Sequence, residues 1–269
     1  MSTGEIILIA LASAIGVVLA RRWLRRTQRT HLIKRFERAR GSRTIAVVDR
    51  SQPVLPWGAS DIFDVDQSER MLQAIQLTDD KVPIDVILHT PGGIVMAAEQ
   101  VATALSGHPA KVTVFIPYYA MSGGTIIAIA ADEIVMSPVA ALGSMDPQFD
   151  DRSAASILAA VQAKAPADLD DATLMLADEA RKAQREAQTF AEQLLMRSVD
   201  PARSSEIAAA LTDGRWTHEF PISAPVARQL GLRVSTVMPP EVEAIVDSHG
   251  RTSLREVVSY VPRRYRARS

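Results

Sequence analysis

The chain has 269 residues, 47% of them hydrophobic and 23% charged, so it can bury the core of one large domain or two small ones. Thirty basic and thirty-one acidic residues give a formal net charge of −1, and this total does not indicate a nucleic-acid-binding protein. The sequence contains no cysteine, which excludes disulfides, thiolate nucleophiles and zinc or iron–sulfur sites built from cysteine. Any catalysis must use oxygen or nitrogen groups.

The first feature in chain order is an uncharged apolar segment at 6–20 that is followed by a basic segment at 21–43. With a few flanking residues the apolar segment predicts a helix of roughly 28 Å, close to the thickness of a bilayer core. The arginines follow the apolar segment instead of preceding it, which favours a retained transmembrane anchor over 1–24 rather than a cleaved signal peptide. The basic juxtamembrane segment at 25–43 predicts a single-pass protein of the cell membrane with its body in the cytoplasm. A buried or interfacial helix is the alternative, because the apolar segment is short.

The middle of the chain alternates between short β-rich segments and helical patterns. Strands are predicted at 44–48, 84–88, 112–116 and 133–136, and helices at 67–77, 95–105 and 125–131. This βαβαβαβ order predicts an α/β fold with a parallel sheet and helical crossovers. Ligand sites in such sheets lie where strands end and helices begin, which here means the turns after Leu88 and Ile116.

From residue 152 onward the strand patterns stop and helical patterns follow one another. Helices are predicted at 152–164, 171–197, 204–211 and 223–230, with breaks at Pro166 and Pro201. These helices form an appendage to the sheet. The arginine-rich end of the chain predicts a flexible or membrane-proximal tail.

Both of the turns after the strands are rich in glycine. Backbone amides of the first turn, at 89–93, can converge on an anion at a helix N-terminus, although Pro-Gly-Gly is also an ordinary turn. In the second turn Ser122 lies at a strand-to-helix junction, where the helix dipole favours an alkoxide or oxyanion. The amides of Gly93 and Gly123 would then form an oxyanion hole. The alternative role for Ser122 is that of a helix N-cap.

Four motifs around these turns closely resemble the Clp-fold serine proteinases known as the serine dehydrogenase proteinase family. They are I-D-V-I-L-H-T-P-G-G at 84–93, Y-A-M-S-G-G-T at 119–125, A-D-E-I-V-M at 131–136 and L-G-S-M-D-P-Q at 142–148. The resemblance continues through T-D-G-R-W-T at 212–217 and A-x-x-L-G-L at 227–232, and extends more distantly to the signal peptide peptidases and the ClpP protease.

The resemblance implies a ClpP/crotonase-like protease domain over 44–238, followed by a C-terminal extension with a basic tail at 239–269. It also implies that Ser122 is the nucleophile, that the amides of Gly93 and Gly123 bind the oxyanion, and that the chain forms a homo-oligomer. No metal or organic cofactor is expected, and the chain has no nicotinamide-binding G-x-G-x-x-G fingerprint.

The base that activates Ser122 is less evident from the sequence. ClpP-like enzymes have a histidine at the position that corresponds to 144–148, which here reads S-M-D-P-Q. Signal peptide peptidases use a lysine, which must be uncharged to accept a proton. We favour Lys164 over Lys182, because acidic residues four positions away on both sides would keep Lys182 charged. The five histidines are not favoured, including His89 before the first turn and His218 in a late loop.

The predicted function is therefore that of a membrane-anchored serine peptidase that hydrolyses polypeptides through a Ser122–Lys164 dyad, with no nucleic-acid partner. A catalytically silent membrane scaffold with the same fold would also account for the missing histidine. A crotonase-type acyl-CoA enzyme would share the two-amide oxyanion hole, and Ser122 would then be incidental.

Overall fold

The computed structural model describes residues 3–49, 63–150, 152–249 and 258–259. The described helices are α1 (Thr3–Arg40), α2 (Val65–Gln76), α3 (Val95–Ser106), α4 (Gly123–Ile129), α5 (Ala154–Gln162), α6 (Asp171–Leu195), α7 (Pro201–Thr212), α8 (Ala224–Leu230) and α9 (Pro240–Ser248). The described strands are β1 (Arg43–Val48), β2 (Ile84–His89), β3 (Val112–Ile116), β4 (Tyr119–Ala120), β5 (Glu133–Met136), β6 (Ala141–Leu142), β7 (Gln148–Phe149), β8 (Arg152–Ser153), β9 (Ile222–Ser223), β10 (Val234–Ser235) and β11 (Val258–Ser259).

A six-stranded sheet in the order β10-β5-β3-β2-β1-β11 forms the centre of the molecule. All its neighbouring strands are parallel except β1 and β11, which are antiparallel. Every residue of β1, β2 and β3 is buried, as expected for parallel strands that are covered by helices on both faces. The prediction of an α/β fold with a parallel central sheet is confirmed.

The two faces of the sheet pack against different helices. Ile45 and Val47 of β1 belong to the larger core, which includes residues of α2, α3, α4, α6 and α7. Ala46 and Val48 point to the opposite face and join a smaller core with residues of α1 and α9. The two glycine turns lie on the larger core's side, at the carboxyl ends of β2 and β3.

The N-terminal segment is one helix, α1, and its last turns pack on the sheet. Ile33 and Phe36 are buried there, and the ring of Phe36 meets that of Phe115 edge to face with centroids 5.7 Å apart. In the part of the chain that the structure describes, no helix combines the length and apolarity needed to cross a membrane. The predicted transmembrane helix at 1–24 is therefore not supported, because its uncharged stretch at 6–20 is shorter than the roughly 20 apolar residues that a span requires.

A second, three-stranded sheet in the order β4-β6-β9 was not predicted. In its middle, Leu142 pairs with Ala120 in parallel and with Ile222 in antiparallel orientation. The helical appendage is present, although a short hairpin of β7 and β8 precedes it and α5 begins at Ala154. The predicted basic tail lies outside the described residues, apart from β11.

Candidate active site

The two glycine turns are joined by their backbones. The amide of Thr90 donates to the carbonyl of Tyr119, and the amide of Met121 donates to the carbonyl of Thr90, both over 3.1 Å. Gly92 has a φ of +113°, and a Cβ added to it would lie 2.9 Å from the Cβ of Ser122. Only glycine fits this position, because a side chain would strain the backbone and collide with the second turn.

Ser122 has an unusual backbone conformation directly before α4. Its φ of 47° and ψ of −113° lie in a region that non-glycine residues rarely adopt, and its side chain makes no capping hydrogen bond. The role of a simple N-cap is therefore not supported. A strained serine on a sharp strand-to-helix turn is the arrangement that exposes a nucleophilic hydroxyl in α/β-hydrolases.

The amides of Gly93 and Gly123 lie beside each other. Phe63 pairs with the first turn through its amide to the carbonyl of Gly92 (2.7 Å) and through its carbonyl to the amide of Ile94 (2.8 Å). The amide of Gly93 consequently points away from Phe63. A Cβ added to Gly123 would lie 3.4 Å from the nitrogen of Gly93.

Within the described residues neither of these two amides donates a hydrogen bond. Two unpaired donors at adjacent positions next to Ser122 are an arrangement that can stabilise a developing oxyanion. The structure thus brings together three residues that the sequence predicted for the site: Ser122, Gly93 and Gly123.

The segment 142–148 runs past Ser122 on the side of β6. The hydroxyl of Thr125 lies 2.9 Å from the carbonyl of Ala120 and accepts a hydrogen bond of 2.9 Å from the amide of Gly143. A Cβ added to Gly143 would lie 3.0 Å from the nitrogen of Ser122. This segment is therefore fixed against the backbone of the proposed nucleophile.

The same segment carries a histidine–aspartate pair. Nδ1 of His218 donates to Oδ1 of Asp146 over 2.9 Å, and Nε2 of Gln148 donates to Oδ2 of Asp146 over 2.6 Å. The side chain of Asp146 is 1% exposed, whereas that of His218 is 34% exposed. The carboxylate is thus held at both oxygens in a buried position while one edge of the imidazole reaches the surface.

Each member of the pair shifts the pKa of the other. The hydrogen bond to Asp146 raises the pKa of His218 above its ordinary value, and this effect outweighs burial, which acts in the opposite direction. Burial raises the pKa of Asp146, but hydrogen bonds from His218 and Ser144 outweigh it and leave that pKa below its ordinary value. Asp146 is accordingly an anion that orients the imidazole.

The register of the small sheet places this pair at the same end as Ser122. Ala120, Leu142 and Ile222 lie side by side across β4, β6 and β9. Ser122 follows Ala120 of β4. His218 precedes Ile222 of β9, which runs antiparallel to β4, so both residues lie beyond the same end of the small sheet. The sequence did not point to His218 as a member of the candidate site, although two quoted motifs, L-G-S-M-D-P-Q and T-D-G-R-W-T, contain or adjoin the pair.

The family model of ClpP-like SDH-type serine proteinases matches residues 6–269 of the chain. The chain belongs to this family. It is also similar to two uncharacterized proteins of Methanocaldococcus jannaschii. The protein MJ0137 is 40% identical over 237 residues, which cover 87% of this chain and 83% of that protein. The protein MJ1495 is 40% identical over 238 residues, which cover 87% of this chain and 81% of that protein.

Lys164 of this SDH-type proteinase follows the C-terminal end of α5, and the cavity that it lines includes no residue of either glycine turn. The helix α5 begins beside Pro147, where the amide of Ala154 donates to the Pro147 carbonyl. Lys164 follows about 15 Å further along the helix direction at 1.5 Å per residue, and its side chain is exposed. It lines a cavity of about 220 Å³ between α5 and α6 whose lining residues all belong to the range 152–176.

The other bases that the sequence offered have structural partners. Lys182 pairs with Asp178 at 2.5 Å, and this hydrogen bond raises the pKa of Lys182, which keeps the amine charged. His89 is buried, and its ring centroid lies 4.2 Å from that of Tyr119 and 5.4 Å from that of Tyr118. Among the residues described, no group of three or more His, Cys, Asp or Glu side chains could hold a metal ion.

Proposed function

We propose that this member of the SDH-type serine proteinase family hydrolyses peptide bonds with Ser122 as the nucleophile. The observation that carries the proposal is the strained Ser122 beside the two unpaired amides of Gly93 and Gly123. The hydroxyl oxygen would attack the peptide carbonyl, and the two amides would stabilise the charge on the tetrahedral intermediate. Water would then release the acyl group from Ser122.

We further propose His218 as the base that accepts the proton of Ser122. Since Nδ1 of His218 donates to Asp146, Nε2 carries the lone pair that can accept a proton. After attack, the imidazolium would be stabilised by the buried carboxylate and would return the proton to the leaving amine. The side-chain amide of Gln148 donates a hydrogen bond to the second oxygen of that carboxylate.

Lys164 is the competing base, because the resemblance to the signal peptide peptidases implies it. The side chain of Lys164 is exposed and lines a cavity that contains no residue of either glycine turn. His218 is supported by its buried partner and by the register of the small sheet, and we favour it for that reason.

The assembly and location of the protein also belong to this proposal. A homo-oligomer is implied by the resemblance to ring-forming relatives. Attachment to the cytoplasmic face of a membrane is supported by the basic segment at 21–43, which contains ten Lys or Arg residues and only one acidic residue.

The proposal is tested by labelling with a fluorophosphonate, followed by peptide mapping and by assays on unstructured casein. We expect label on Ser122 alone, and we expect Ser122→Ala and His218→Ala to lower turnover by several orders of magnitude while circular dichroism stays unchanged. Lys182→Ala is the matched control on an exposed ion pair and should keep wild-type activity.

Other outcomes would replace parts of the proposal. Loss of turnover in folded Lys164→Ala, with activity retained in His218→Ala, would make Lys164 the base. A wild-type protein that neither reacts with the fluorophosphonate nor cleaves casein would be a silent scaffold. Acyl-CoA binding by such a protein would instead indicate a crotonase-type enzyme.

A further inference from the structure

Large apolar side chains are concentrated around the two glycine turns. Beyond α1, the structure describes eleven exposed large apolar residues, and seven of them surround these turns. We name these seven the apolar rim: Val65, Ile94, Val95, Met96, Tyr118, Tyr119 and Val139. Such a concentration on one part of the surface indicates an interaction site, whereas scattered single residues would not.

One side of the apolar rim follows directly from the proposed oxyanion hole. Ile94, Val95 and Met96 come immediately after Gly93, and Val95 and Met96 are 54% and 53% exposed. The pairing of Phe63 with Gly93 brings Val65 to the same side. Any chain bound at the amide of Gly93 would contact these residues.

The other side of the apolar rim precedes Ser122. Tyr118 and Tyr119 come shortly before the proposed nucleophile, and the carbonyl of Tyr118 accepts a hydrogen bond of 2.9 Å from the amide of Ala141. This bond brings the loop with Val139, which is 78% exposed, beside the two tyrosines. Ser122 therefore lies between two apolar surfaces.

Apart from Val65, which Asp64 and Asp66 flank, the apolar rim and the two turns lie on segments without charged residues. Residues 90–98, 117–131 and 134–145 contain no Asp, Glu, Lys or Arg. Glu99, Asp132 and Glu133 lie just beyond these segments, and so does Asp146, which is buried and paired with His218. A charged side chain that entered here would lose water without gaining a counter-charge from these segments, whereas a large apolar one would gain from leaving water.

We propose that the apolar rim selects polypeptide segments with large apolar side chains next to the scissile bond. The inference rests on the proposed peptidase function and names its substrate class. Because such side chains are mostly buried in folded proteins, the preferred substrates are unfolded chains.

The test measures binding of fluorescent nonapeptides to the Ser122→Ala protein, which cannot cleave them. One peptide has leucine on both sides of its central bond, and its two partners have aspartate or lysine there. We expect the leucine peptide to bind about tenfold more tightly or better, as burial of large apolar side chains predicts. Met96→Glu, added to Ser122→Ala, should remove that preference.

The matched control is Met175→Glu, which places the same charge on another exposed methionine, on α6. Met175 is 66% exposed and lies outside the apolar rim, so this variant should keep the preference for leucine. Circular dichroism checks the fold of each variant, and sedimentation reports its assembly.

Equal affinities for the three peptides would overturn the inference, and so would an unchanged preference in folded Met96→Glu. If Met96→Glu changed only the sedimentation and not peptide binding, the rim would be an interface between copies of the chain. Failure of the peptidase proposal is a separate result: a wild-type protein that binds the leucine peptide tightly but neither cleaves it nor reacts with a fluorophosphonate.

Discussion

Ser122 adopts a costly backbone conformation that its neighbours hold in place. A non-glycine residue in such a region costs about 1–3 kcal/mol, and it persists only where surrounding contacts compensate. Here the amide of Gly124 donates to the carbonyl of Met121 over 2.7 Å, and the amide of Thr125 donates to that of Ser122 over 2.8 Å. The hydroxyl of Thr125 bridges to Gly143. In this conformation the hydroxyl of Ser122 makes no capping hydrogen bond, as the proposed role of nucleophile requires.

The protonation of His218 gives a pH prediction at the same scale. The hydrogen bond to Asp146 raises the pKa of His218 above its ordinary value, and only the neutral imidazole accepts a proton. Activity should therefore rise with pH, with a midpoint above about 6.5. Asp146→Asn removes the cause of the raised pKa, so the midpoint should move to lower pH and kcat should fall steeply.

The measurement is kcat/KM against pH for the wild type and for Asp146→Asn, with thermal unfolding as the check on folding. Lys182→Ala serves as the control, because its amine is exposed and should not move the midpoint. A midpoint that Asp146→Asn leaves in place would remove His218 from the mechanism.

At the scale of elements, the sequence predicts the strands of four to six residues in the central sheet but none of the two-residue strands. The prediction at 112–116 coincides with β3 (Val112–Ile116), because a buried parallel strand is a continuous β-branched segment. Strands such as β6 and β9 have two residues each, which is too short for any periodicity. The pairing of His218 with Asp146 depends on that small sheet and spans 72 positions, so no local pattern shows it.

One arginine ties the end of α6 to the central sheet, and its removal should destabilise the fold. Arg197 donates two hydrogen bonds of 2.8 Å to Asp132, and others to the carbonyls of Ser106, His108 and Ala110. Arg197→Met would leave Asp132 and three carbonyls without this partner. We expect the free energy of unfolding, measured with urea, to fall by about 2–3 kcal/mol.

Arg181→Met is the control for this prediction. Arg181 lies on α6, is 52% exposed and meets Asp178 at 3.9 Å, so its loss should change the free energy of unfolding very little. Equal stabilities of the two variants would show that the contacts of Arg197 do not hold the appendage on the sheet.

At the scale of the whole molecule, the longest helix extends beyond the sheet on which it ends. With 38 residues, α1 is about 57 Å long at 1.5 Å per residue, and its buried Ile33 and Phe36 lie in its last turns. Further toward its N-terminus, Trp23 and Leu24 are 66% and 58% exposed. Exposed apolar residues next to arginines suit the surface of an anionic membrane.

The last prediction concerns this surface attachment. Each basic residue near an anionic membrane contributes about 1 kcal/mol, so replacing Arg21, Arg22, Arg25 and Arg26 with glutamine should weaken binding to phosphatidylserine vesicles by about a hundredfold or more. The measurement is co-sedimentation at low salt.

As a matched control, Arg181 and Arg185 of α6 are replaced with glutamine, and this variant should bind like the wild type. Molar salt should release the wild-type protein, because the Debye length falls to about 3 Å. Protein that stays with the vesicles in molar salt would contradict attachment by charge and would require an apolar insertion of α1.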